Sequence, residues 1–187
     1  MPFCQAFRSD VADWAQGRSW IARLPLLVLF LYILVKSLDD PAYASVFAGL
    51  NLGLHELGHV VFGLFGTSWN IAGGTLLQCA APLASIPIFY RQRDFFAITF
   101  SCGWLSTNLF GVARYVADAR SMAMELVSPF GGDPIHDWNY LLARAGLLSY
   151  DALIAWWLRA AAICSMLVGL IYGVWVLRQM RRAPGGS

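Results

Sequence analysis

Apolar residues gather along the chain in five runs, about 20–36, 42–65, 71–90, 95–117 and 152–177, divided by short polar or charged stretches. Most approach the ~20 apolar residues that a helix needs to cross a bilayer. The first run, Trp20 to Val35, is short for this, but Arg23 and Lys36 can snorkel to extend it and Trp20 can anchor its end. Ser37 to Pro41 predicts a turn, with Pro41 suited to the first turn of a second helix. That helix carries Gly49-x-x-x-Gly53, then Gly58 and Gly63, a stripe that would let a neighbour pack closely. Gly66 to Asn70 breaks it. The third run, Ile71 to Tyr90, holds Gly73-Gly74, Pro82 and Pro87, and reads as a kinked span, a re-entrant element, or a strand-like edge followed by a helix. Non-helical backbone at that depth needs protein or a water-filled cavity to satisfy it.

The fourth run contains Asn108 and ends at Arg114, Tyr115 and Asp118. Residues 119–150 are the longest polar stretch and predict a short helix from about Trp138 to Leu148. The last run holds Gly169-x-x-x-Gly173 and is closed by Arg178, Arg181 and Arg182, with Ala183 to Ser187 as a frayed tail. Ahead of the first run, residues 1–18 predict an interfacial helix with Phe3, Phe7, Val11 and Trp14 on one side. Asp10, Asp13 and the lack of a small-residue cleavage site argue against a cleavable signal. The expectation is an all-α polytopic membrane protein of four to five transmembrane helices, one segment of it broken or re-entrant, in a single domain over residues 1–187. No internal repeat and no long linker divides it.

Composition supports this. Of 187 residues, 58% are hydrophobic and only 13% charged, whereas soluble domains carry about a quarter charged. The net charge of +2 comes without a dense basic stripe, which excludes nucleic acid as a partner and leaves the lipid bilayer. Cys4, Cys79, Cys102 and Cys164 are scattered, with no C-x-x-C pair, and read as buried hydrophobes.

The chemistry lies in the second run. His55-Glu56-Leu57-Gly58-His59 is its only charged or basic stretch. On a helix, His55 and His59 share a face one turn apart, so two imidazoles converge on one metal ion. Glu56 stands beside them, placed to act on a water at that ion. Zinc is the metal such a pair suits best. Carboxylate in the middle of a membrane helix costs about 2.5–3.5 kcal/mol, a cost that helix packing alone does not explain. Catalytic zinc needs a third protein ligand. His136 is the only other histidine and the leading candidate; Asp118 and the adjacent Asp137 are its rivals. Asp137 could also orient the His136 imidazole or cap the following helix.

A membrane helix with HELGH, a Gly-Gly element, and a further span with an Asn that ends near an Asp resembles the site-2 protease family of intramembrane zinc metallopeptidases. The resemblance covers His55 to Asp118. It implies that His55 and His59 hold zinc with an aspartate from a later span, and that Glu56 activates water. Asp118 is the counterpart of that aspartate, although the family's Asn-Pro…Asp-Gly pattern is missing, since Ala119 follows Asp118. Asn108 and Gln78 are candidates to bond an extended substrate backbone, or else to join helices.

The expected activity is a zinc metallopeptidase, an integral multi-pass protein cleaving a membrane protein or peptide within or beside the bilayer. Hydrolysis of a lipid or another amide, and a metal-binding scaffold without catalysis, are the alternatives. Membrane orientation is in tension. A full crossing by residues 71–90 eases the approach of a third ligand, but leaves the first or last arginine cluster outside the cytoplasm.

Overall fold

The computed structural model describes residues 2–126 and 135–183. All regular structure among them is helical: α1 (Pro2–Ala15), α2 (Leu24–Asp39), α3 (Ala48–Gly63), α4 (Thr67–Arg91), α5 (Ala97–Ala117), α6 (Asp137–Ala145) and α7 (Asp151–Arg182), with 3-10 turns before α2 and α7. Three helical stretches are long and apolar enough to cross a membrane: Ile21–Asp39, Thr67–Arg91 and Leu148–Arg182. The 21 residues of α5 are not among them. Its Thr99, Ser101, Ser106, Thr107 and Asn108 are all buried, so its polar side chains face neighbouring helices.

The bundle centres on α5, which packs against α7 on one side and α4 on the other, while α3 lies along α4. Hydroxyls tie these helices together directly. Ser106 donates to the Ala162 carbonyl at 2.7 Å and Ser165 to that of Cys102 at 2.8 Å. At one end of the bundle, α1, the start of α2, the α4–α5 turn and the end of α7 close over an apolar cluster that includes Val11, Leu27, Phe95, Val176 and Met180. Phe7, Val11 and Trp14 of α1 turn toward that cluster as the sequence predicts; the Phe3 side chain is outside the described residues.

Helix α3 has 16 residues and accompanies only part of the bundle. Near its start, Asn51 bonds Thr107 and Trp104 in the middle of α5; at its end, Gly63 sits beside Asn70, in the first turn of α4. The preceding residues 42–47 are not helical, so the helix begins later than the apolar run does. Close packing on α4 falls at Gly58, not at the Gly49/Gly53 stripe. A Cβ at Gly58 would run into the Gly73 carbonyl, whereas Gly49 and Gly53 face open space.

The expected break in residues 71–90 is not there. The 25 residues of α4 form one helix, about 37 Å long, with both Pro82 and Pro87 inside it. Between the two prolines the Ser85 hydroxyl bonds the Pro82 carbonyl and pairs with Ser101 of α5, each at 2.7 Å. Helix α6 starts at Asp137 and stops before Gly146, which takes a left-handed φ of 69°. Residues 127–134 of the polar stretch and 184–187 of the tail lie outside the described residues. The cysteines are all free; Cys4 and Cys164 are exposed and Cys79 and Cys102 half-buried, less enclosed than the sequence suggests.

Candidate metal centre

The motif forms as its spacing dictates. The His55 and His59 rings lie 4.7 Å apart on α3, and ligand atoms of His55, Glu56 and His59 fall within 4.8 Å of one another, a group that could hold a metal ion. What lets α4 approach this face is Gly74: a Cβ there would come within 2.6 Å of the His55 ring.

Second contacts fix the ring orientations. Nδ1 of His59 lies 2.8 Å from the backbone carbonyl of Asn70, while the Asn70 amide donates to the His59 carbonyl at 2.8 Å. A carbonyl only accepts, so His59 carries its proton on Nδ1 and its Nε2 is left as a lone pair. That Nε2 faces Asp137 Oδ2 at 3.4 Å, and the same oxygen is 2.9 Å from His55 Nε2. Two facing lone pairs are stable only with a cation between them, a proton or a metal ion. The donor set of two imidazoles and one carboxylate therefore fits a divalent cation such as zinc. Burial works to raise the Asp137 carboxyl, but the two imidazoles outweigh it and hold it below the ordinary carboxylate range.

Asp137 reaches the pair from the first turn of α6. Its backbone N–H donates to the Tyr115 hydroxyl at 3.0 Å, which pins the start of α6 against the end of α5. The Tyr115 ring also lies 6.1 Å from that of His55. Neither Tyr115 nor Asn70 stands out in the sequence as part of the site. Tyr115 reads there as a helix-end aromatic, and the polar Asn70, eleven residues after His59, reads as part of a turn.

His136 is placed differently from the sequence expectation. It caps α6, its Nδ1 accepting the Asn139 N–H at 3.2 Å, so its proton sits on Nε2, which points to Asp118 Oδ2 at 3.3 Å. Both nitrogens are engaged, and no lone pair is left for a metal. Asp118 is likewise committed. Its oxygens accept from the Ser121 hydroxyl at 2.6 Å and from the backbone N–H groups of Ala123 and Met124, both at 3.0 Å. Burial opposes its ionisation, yet these bonds together lower its pKa to about 2. The pair is a clasp between α5 and α6. It leaves Asp137 as the carboxylate at the histidines.

A cavity of about 630 Å³ opens on this centre, with His55, Glu56, His59, Tyr115 and Asp137 in its wall. Farther in, Asn51, Gln78 and Asn108 line it, all three buried. Asn108 donates to the Trp104 carbonyl, and its own carbonyl oxygen is buried without a partner among the described residues. No family model, curated protein or solved structure matches this chain.

Proposed function

We propose that the protein is a membrane-embedded zinc metallopeptidase, related in mechanism to the site-2 proteases. The observation that carries this reading is the convergence of His55, His59 and Asp137 beside the carboxylate of Glu56, in the wall of a cavity of about 630 Å³. His55, His59 and Asp137 would hold the ion. When bound, zinc supplies a Lewis acid for the scissile carbonyl and makes a water acidic near neutral pH. Glu56 takes a proton from the attacking water as its oxygen bonds the carbonyl carbon, and passes it to the departing amine nitrogen as the C–N bond breaks. Asn70 holds the His59 tautomer, and Tyr115 holds Asp137 in place. The Asn108 oxygen, unpaired among the described residues, suits a backbone N–H of an extended substrate, with Asn51 and Gln78 in the same cavity wall. A strand-like edge from residues 71–90 has no part in this scheme, since that segment is helical.

The test is Glu56→Gln. It removes the base and no ligand, so the purified variant should keep its metal and lose turnover of a membrane peptide by several orders of magnitude. Hydrolysis at the normal rate would refute the mechanism.

A further inference from the structure

Charge is divided unequally between the two ends of the bundle. The end closed by α1 carries Arg8, Arg18 and Arg23, then Arg91 and Arg93 at the α4–α5 turn, then Arg178, Arg181 and Arg182 at the end of α7. Only Asp10, Asp13 and Asp94 oppose these eight arginines there. Several of the arginines are seated on the apolar floor itself. Arg93 bonds Asp10 at 2.7 Å, Arg18 and Arg23 lie over the Trp14 ring, and Arg181 lies over Trp20.

The opposite end has the reverse balance. Its basic residues are Lys36, Arg114, Arg120, Arg144 and Arg159, and the acidic ones outnumber them, with Asp39 and Asp40 at the end of α2, Glu56 and Asp137 at the metal centre, and Asp118, Glu125 and Asp151 around them. Arg120 is neutralised by Asp151 at 2.7 Å, and Arg114 and Arg159 are spent on the carbonyls of Ala42 and Ser37. The cavity is lined by Asp40, Glu125 and Asp137 and so belongs to this end.

A membrane fits between the two. Exposed Trp156 and Trp157 near the start of α7 suit the aromatic belt of one interface, and Arg178 marks the other. The 21 residue steps from Trp157 to Arg178 rise about 31 Å, the thickness of a hydrocarbon core. With α4 continuous and α3 accompanying only part of the bundle, all three arginine clusters fall on one side. The conflict between a crossing by residues 71–90 and the positive-inside rule disappears, because α3 is the element that does not cross.

We infer that the arginine-rich end docks on the anionic cytoplasmic leaflet, and that the metal centre opens to the opposite aqueous face, from which it takes its substrate. This rests on the membrane reading above but not on catalysis, and orientation is measurable without turnover. Two single-cysteine forms report the two ends. One keeps the exposed Cys4 of α1 with Cys79→Ala, Cys102→Ala and Cys164→Ala; the other adds Cys4→Ala and Ser149→Cys, at an exposed position just before α7. Spheroplasts of an expressing bacterium are treated with a membrane-impermeant maleimide before and after lysis. Ser149→Cys should label in intact spheroplasts and Cys4 only after lysis. Labelling of Cys4 in intact spheroplasts, alone or together with Ser149→Cys, would overturn the assignment. Release of the chain by carbonate would overturn the membrane reading itself.

Discussion

Side-chain tautomers decide which residues can bind metal. His59 is held with its Nε2 lone pair toward the cavity by one backbone carbonyl, whereas both nitrogens of His136 are spent on Asn139 and Asp118. Tyr115 matters through Asp137, whose N–H it accepts. Tyr115→Phe should therefore weaken metal binding about 10–100-fold, the usual cost of losing a group that orients a ligand, as read by competition with a chelator. Unchanged affinity would show that α6 holds Asp137 without it. Asp118 makes a separate prediction about acid. Its folded pKa is depressed, so its stabilisation is complete above the ordinary carboxylate value and is lost as pH falls toward 2. Thermal unfolding of the metal-free protein should show a decline below about pH 4 that Asp118→Asn flattens. His55, Glu56 and His59 were legible in the sequence because an i, i+4 pair is a local pattern. Asp137 was not distinguishable from its neighbour, because its contact with His55 spans 82 positions and depends on which of two adjacent side chains turns inward.

Helix packing brings those residues within reach. Gly58 of α3 meets the backbone of Gly73 and Gly74, and backbone cannot give way as a flexible side chain does. Gly58→Ala should force α3 and α4 apart, at a cost of about 1–3 kcal/mol, and lower metal occupancy with it. Gly49→Ala meets open space and should leave both thermal midpoint and metal content unchanged. Equal effects from the two substitutions would contradict the packing described. The helical runs were legible from apolar length, but the continuity of α4 was not. Two prolines and a Gly-Gly pair argue for a break by local rules, yet the segment runs on as one helix packed between α3 and α5. Of the four glycines that the sequence offers for close packing, Gly58 and Gly63 meet a neighbour and Gly49 and Gly53 do not, since spacing alone does not say which face a neighbour takes.

At the scale of the molecule, polar groups are drawn to the inside and apolar ones left outside. Leu31, Val168 and Ile171 are more than half exposed, while Thr99, Ser101 and Ser106 of α5 are fully buried, the pattern expected of a bundle in lipid. The protein should accordingly stay with membranes after a carbonate wash and need detergent for extraction. That some helices are long and apolar enough to cross a membrane was legible from composition. The arrangement of its charges was not, because whether three arginine clusters share a side depends on α3 stopping short, which follows from the place of Asn51 beside Thr107 and not from its hydrophobicity.

Metal content across a set of ligand variants tests the centre most directly. Wild-type protein, His55→Ala, His59→Ala, Asp137→Ala and His136→Ala, purified in parallel in one detergent, are assayed for bound zinc. The geometry predicts about one ion per chain in wild type, near-complete loss in the first three variants, and retention of most of the ion in His136→Ala. Full zinc in Asp137→Ala with loss in His136→Ala would contradict it.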